Sequence, residues 1–212
     1  MTPILDRLHV VVAVKGNGDG KRRLAGVLTP DERQHLVVTM LEDVLAAVAA
    51  TAGIGQVSVL TRETAIVPHD FRAIDDPGFG LNPAIVHAAN LLTLAGRRAM
   101  LVLPADLPFV SPADIRALMD AATERSVVIA PDVSGTGTNA LLLSPPNALR
   151  PRFGARSCGA HVESARAAGI DTHVLNRPGL ARDIDEPADL HMLVRDGGSR
   201  YAFLTHALRK AS

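Results

Sequence analysis

Short aliphatic runs, each too brief for a helix, most constrain what this chain can become. "LHVVVAV" (8–14), "QVSVLT" (56–61), "AMLVL" (99–103) and "VVIAP" (127–131) are rich in β-branched and branched aliphatic residues, as strands buried on both faces require. Between the first two lies a long segment of helical period. Thr29 is placed to cap it, Pro30 suits its first position, and Glu32 completes a capping box. Leu36, Val37, Met40, Leu41, Val44, Leu45 and Val48 then recur at helical spacing on one wide apolar face. The opening unit therefore reads as βαβ.

The same alternation continues. A turn-rich loop (75–80) leads into a helix expected over 82–94, and Ser111 and Pro112 begin another after the strand at 99–103. Strands at 127–131 and 139–144 flank the loop "DVSGTGT". A helix is expected over 158–168, a short strand at "THVLN", and a last clear helix from "DIDEPADLHMLV". Residues 197–212 read as a short helix or a loose arm. Alternation of this kind implies an α/β fold, a three-layer αβα Rossmann-like domain over 1–212 with a mostly parallel sheet. Ligands in such folds bind beyond the carboxyl ends of the strands. That places the loop after Val14, Asp106 and the 135–139 loop on one rim.

Composition removes several classes of function. The formal net charge is zero, so the whole-chain balance gives no support for binding nucleic acid or an anionic membrane. The single cysteine, Cys158, excludes an internal disulfide framework and a Cys-based zinc site. No apolar run approaches the roughly 18 residues of a membrane span. "MTPILDRLHVVVAV" lacks the pattern of a signal peptide, and a soluble cytoplasmic protein is expected.

Four stretches can carry chemistry. "VKGNGDGKRRL" joins a glycine-rich turn to Lys15, Lys21, Arg22 and Arg23, a pattern suited to phosphate oxygens but equally to a solvated basic turn. It lacks the spacing of a P-loop. Asp106, with Asp183 and Asp185 of "DID", offers hard oxygen ligands for Mg²⁺. Asp185 also stands where a helix N-cap belongs, whereas Asp106 has no such structural duty because Ser111 already caps the next helix. In "SGTGTNALLL" the glycines permit close backbone approach to a ligand or a plain hairpin turn, and Thr136, Thr138 and Asn139 add neutral hydrogen-bonding groups. "RFGARSCGAHVESA" puts Gly154, Arg156 and Ser157 before a helix whose N-terminus favours an anion, with His161 in its first turn. A lone histidine there is more often a packing residue than a catalytic one.

"VAVK", "KRRLAGVLTPDER", "GLNPAI", "LPADLPF", "IAPDVSGTGTNALLL", "FGARSCGAH" and "GLARDIDEPADL" occur in this order. Taken together they resemble the guanylyltransferases of coenzyme F420 biosynthesis, the CofC/FbiD family, within the MobA-like nucleotidyltransferase fold. The resemblance implies transfer of GMP from GTP to the phosphate of a phosphorylated three-carbon acid, with release of pyrophosphate. It implies that Lys15, Lys21 and Arg23 lie against the GTP phosphates and that Gly80 and Asn82 lie near base and ribose. Asp106 would be the principal Mg²⁺ ligand and Asp185 a second; Thr138, Gly154 and Ser157 fall where the family binds the acceptor acid.

Two departures stand out. The first loop reads "GNGDG" where many relatives carry a proline and bulkier residues, and Cys158 replaces a larger, often aromatic side chain. Extra space at Cys158 would favour 3-phospho-D-glycerate over phosphoenolpyruvate or 2-phospho-L-lactate. Two other readings compete: a MobA-like transferase acting on molybdopterin or a sugar phosphate, and a nucleotide-binding subunit without turnover. The first usually has a longer glycine-rich signature, absent here; the second has no need of metal-holding carboxylates. The tail "YAFLTHALRK" can pack on its own domain or in a homodimer, and hand-over of product to the next biosynthetic enzyme is a further expectation.

Overall fold

The computed structural model describes residues 8–14 and 21–211. Among them seven strands form one sheet in the order β3-β2-β1-β4-β6-β5-β7. They are β1 (Leu8–Ala13), β2 (Gln56–Thr61), β3 (Arg72–Asp75), β4 (Ala99–Pro104), β5 (Ser126–Pro131), β6 (Thr138–Ser144) and β7 (Asp171–Val174). Strands β1 to β5 and β7 run parallel, while β6 pairs antiparallel with both β4 and β5. The link from β5 to β6 is too short for a crossover, so the chain must turn back as a hairpin. The expected mostly parallel sheet is thus present, with one reversed strand inserted near its middle.

Helices α1 (Pro30–Ala49), α2 (Leu81–Leu94), α3 (Pro112–Asp120) and α4 (Ser157–Ala167) pack on the sheet, while α5 (Pro187–Asp196) and α6 (Leu204–Ala211) pack with the 24–40 segment in a cluster of their own. The Thr29–Glu32 box caps α1, and Ser111 with Asp114 forms the same reciprocal pair on α3. Both helices carry proline at the start, where a missing N–H costs nothing. Side chains alternate across β1: Leu8, Val10 and Val12 join the core under α1 and α3, while Val11 and Ala13 join that under α2 and α4.

A third apolar cluster explains the tail. Leu24, Leu28, Leu36 and Met40 pack with Ile184, Leu190, Leu193, Tyr201 and Leu204, all essentially buried. Residues 204–211 therefore form a short helix docked on the chain's own domain. Strand β3 carried no sequence signal: "RAID" is a mostly exposed edge with little apolar character. The strand expected at "THVLN" begins one residue earlier, at Asp171, and ends at Val174.

Candidate active site

Beyond the carboxyl ends of β1, β4 and β5 lies a cleft of about 660 Å³. Its walls include Lys21, Arg23, Asp106, Thr138, Gly154, Ser157 and Asp185, so most of the site residues expected from the sequence meet there. Asp183 and Asp132 line it as well. Lys15 lies outside the described residues.

One wall is acidic and holds a lysine. Asp106 lies two residues beyond β4, and its backbone C=O accepts from Ile184 N–H, tying the β4 end to the "DID" segment. Ile184 is fully buried in the satellite cluster. In an extended segment neighbours point to opposite sides, so sinking Ile184 turns Asp183 and Asp185 outward together. Ligand oxygens of Asp106, Asp183 and Asp185 lie within 4.8 Å of one another. The residues alone offered both Asp183 and Asp185, and the resemblance implied only Asp185; the isoleucine between them was the signal that both face one way.

Capping does not account for Asp185. The N-cap of α5 is Glu186, and Asp189 accepts from the backbone N–H groups of both Asp185 and Glu186. The Asp185 carboxylate is instead 2.8 Å from Lys21 Nζ, which also donates to Asp106 Oδ2 at 2.6 Å. Burial opposes the Lys21 charge, but the Asp106 and Asp185 carboxylates outweigh it and hold its proton above the ordinary lysine range. Asp183 is also raised, but in its case this disfavours the charge: burial, then the Asp106 charge, holds its carboxyl above the usual range. Asp106 Oδ1 is buried with no hydrogen-bond partner among the described residues. An orphaned carboxylate oxygen inside a cluster of hard donors fits a divalent cation.

Backbone strain marks both sides of the cleft. Lys21 (φ 62°) and Arg156 (φ 56°) are the non-glycine residues in the left-handed region among the described residues. Such a conformation costs on the order of 1 kcal/mol and persists only where surrounding packing enforces it. At Lys21 the backbone C=O accepts from the N–H of buried Leu24, and Nζ is held by Asp106 and Asp185. Arg23 reaches the cleft wall, but its guanidinium lies 3.3 Å from Glu186 Oε1 in an exposed pair.

Apart from the Asp132 carboxylate, the opposite wall is neutral. Thr138 begins β6, and Gly154 and Ser157 bracket the turn into α4, where Ser157 N–H donates to Gly154 C=O. The 132–137 loop is braced from within. Asp132 Oδ1 accepts from Ser134 Oγ and Thr136 N–H, and Cys158 N–H donates to Thr136 C=O.

Two expected sites differ from their sequence reading. The Asn82 side chain does not line the cleft: its Oδ1 accepts from Phe153 N–H at 2.7 Å and its Nδ2 donates to Phe153 C=O at 2.9 Å. With both ends spent on the backbone of Phe153, it ties the 151–156 segment to the start of α2. Gly80, in the positive-φ position before α2, lies next to the lining residue Leu81. Cys158 is buried in the apolar core, not on the cleft wall. Burial, then Asp132, raises its thiol, which disfavours the thiolate form.

A mononucleotide-sized cleft at the strand ends, with cations and an acidic cluster on one wall, defines a nucleotidyltransferase. The family model "Guanylyl transferase CofC like" matches residues 8–210. The chain is 40% identical over 199 residues to a phosphoenolpyruvate guanylyltransferase of Rubrobacter xylanophilus, covering 92% of this chain and 97% of that one. It is 38% identical over 187 residues to the protein of the same name from Sphaerobacter thermophilus, covering 86% and 90%. A nucleotidyl transferase structure from Methanothermobacter superposes with a TM-score of 0.67 at 24% identity, covering 96% of this chain and 99% of that one. The chain belongs to the CofC-like guanylyl transferase family.

Proposed function

We propose that the chain transfers GMP from GTP to phosphoenolpyruvate, releasing pyrophosphate, as a step of coenzyme F420 biosynthesis. The observation that carries this is the pairing of walls: the acidic, lysine-bearing wall suits a nucleotide triphosphate, and the neutral Thr138–Gly154–Ser157 wall suits a small acid. The names of the relatives support phosphoenolpyruvate as that acid. The expectation of 3-phospho-D-glycerate rested on space at Cys158, and a side chain packed in the core opens no space in the cleft.

In the reaction an acceptor phosphate oxygen attacks the α-phosphorus of GTP in line. The new P–O bond forms as the bond to the bridging oxygen breaks, and pyrophosphate leaves with that electron pair. The acceptor phosphate is already ionised at neutral pH, so no general base is needed; catalysis is positioning and charge neutralisation. Lys15, Lys21 and Arg23 neutralise the triphosphate, and Gly80 borders the base and ribose. Asp106, Asp183 and Asp185 would hold Mg²⁺, which when bound draws negative charge from phosphoryl oxygens. Thr138, Ser157 and the backbone at Gly154 orient the acceptor.

The test is pyrophosphate release from GTP and Mg²⁺ with phosphoenolpyruvate, 2-phospho-L-lactate and 3-phospho-D-glycerate supplied separately, and with ATP in place of GTP. Turnover with GTP and phosphoenolpyruvate is expected. Turnover only with another acid overturns the acceptor, and turnover with none overturns the transferase reading for these acids.

A further inference from the structure

Behind the neutral wall, α4 buries His161 completely. Both ring nitrogens are engaged. Nε2 lies 2.8 Å from the backbone N of Arg152, and Nδ1 lies 3.1 Å from Thr138 Oγ1. A backbone N–H can only donate, so Nε2 must be the lone-pair nitrogen. The neutral ring then carries its hydrogen on Nδ1, which must donate to the Thr138 oxygen. Burial, then the Arg152 charge, pushes the imidazole down to about 4, so the neutral ring persists at neutral pH.

This settles what Thr138 can offer. A hydroxyl has one hydrogen and two lone pairs. With His161 donating to its oxygen, the Thr138 hydrogen cannot point back at the ring, and no other acceptor for it is present among the described residues. Thr138 lines the cleft. We propose that His161 is a positioning residue for the acceptor acid, fixing Thr138 as a one-way donor into the cleft so that it selects an ionised oxygen, a carboxylate or phosphate. The inference rests on the reading that Thr138 meets the acceptor. It gives the buried histidine a function beyond packing. The same ring, through Arg152 N–H, sets the segment that carries Gly154, so one side chain aligns two parts of the wall.

His161→Asn and His161→Gln separate the two contacts. An Asn amide reaches as far as Nδ1 and keeps a donor for Thr138; a Gln amide reaches as far as Nε2 and keeps an acceptor for Arg152 N–H. Steady-state constants are measured with GTP and phosphoenolpyruvate for both variants, for Thr138→Val and for the Thr138→Val/His161→Gln double variant. Thr138→Val and His161→Gln are each expected to raise KM for phosphoenolpyruvate about tenfold or more, as for a lost hydrogen bond to a charged group, with KM for GTP little changed. His161→Asn retains more acceptor affinity than His161→Gln. The double variant is no worse than Thr138→Val alone, because residues acting through one contact are not additive.

Multiplying effects in the double variant, equal losses for both substrates, or the reverse order of the two His161 variants overturn the proposal. Unchanged acceptor KM in Thr138→Val instead overturns the underlying reading of Thr138. A measurement on the unmodified protein is independent of variant folding: nitrogen-15 NMR of the histidine rings should show His161 protonated on Nδ1 alone at neutral pH. Protonation on Nε2 overturns the proposal.

Discussion

Lys21 Nζ lies 2.6 Å from Asp106 Oδ2, with only 8% and 13% of the two side chains exposed. Its second bond, to Asp185, makes one ammonium the counter-charge of two carboxylates in a cluster of three. A partly buried pair of this kind adds little net stability, but removing one partner strands the other charges.

Lys21→Met should therefore lower stability by about 2 kcal/mol, less than for a fully buried pair because Asp185 is part-exposed. It should also make the melting temperature more responsive to added Mg²⁺ than that of the parent, since a cation binding only the folded state stabilises it by mass action. Thermal melts with and without Mg²⁺ check both. A variant as stable as the parent, with the same metal response, would contradict this account of the cluster.

Asp106→Asn should separate stability from activity. The amide keeps the shape, leaves Lys21 paired with Asp185, and removes one of three crowded carboxylates. The melting temperature should stay level or rise, while kcat falls by about 100-fold or more as charge neutralisation at the phosphoryl group is lost. A variant with parental turnover would remove Asp106 from the catalytic cluster.

Gly137 tests the neutral wall. A Cβ there would sit 2.7 Å from Asp132 Oδ2. Asp132 cannot swing aside cheaply, because its other oxygen holds Ser134 and Thr136. Gly137→Ala should shift the loop leading into Thr138, raising KM for the acceptor several-fold while costing about 1–2 kcal/mol of stability. Gly135→Ala, with open space around its Cβ but φ +74°, should cost a similar amount through backbone strain and alter acceptor KM less. Equal KM values for the two variants would argue against a specific role for the Asp132 brace.

Much of this architecture was legible in the sequence because its signals were local. Capping residues fixed the starts of α1 and α3, aliphatic runs fixed β1, β2, β4 and β5, and the run after Asp106 left that carboxylate without a structural duty. What was missed depended on partners far along the chain. Asn82 looked like a ligand residue because nothing near it in sequence revealed the Phe153 backbone it clamps, 71 positions away. His161 looked like a packing residue because Thr138 and Arg152 reach it only once β6 and α4 are assembled. Cys158 seemed to face the cleft because one residue of helix, a rotation of about 100°, separates it from Ser157, which does.

Acid should destabilise the protein through two buried histidines. His9 bonds Ser58 through Nε2, and burial, then Arg97 and Arg72, brings its ring down from 6.5 to about 4. His161 is lowered to the same value. Between pH 6.5 and 4 the unfolded chain takes up protons that the folded chain does not, so stability is full above that window and falls as pH drops through it. Each ring accounts for roughly 3 kcal/mol across the window. Melting temperatures should decline steeply from about pH 6.5 toward about pH 4.5, and His9→Gln, which can retain a contact to Ser58, should remove about half of the slope. A pH-independent melt over this range would show that the rings do not remain neutral in the fold.

The docked tail should matter to the site as well as to stability. Tyr201 Oη donates to Asp43 Oδ2 at 2.5 Å, and burial, then Asp43, holds its phenol proton far above the ordinary range. The ring packs in the cluster that also contains Leu24 and Ile184, the apolar residues that set Lys21 on one side and Asp183 and Asp185 on the other. Tyr201→Phe keeps the ring and leaves Asp43 its contact with Arg200, so it should cost about 1–2 kcal/mol and little turnover. Tyr201→Ala opens a cavity worth about 3–5 kcal/mol and lets Leu24 and Ile184 relax into it. Turnover by the folded Tyr201→Ala protein, measured well below its melting temperature, should fall about tenfold or more, as expected when reacting groups are displaced by a fraction of an ångström. Full kcat in a clearly destabilised Tyr201→Ala protein would show that the satellite core holds the tail without setting the acidic cluster.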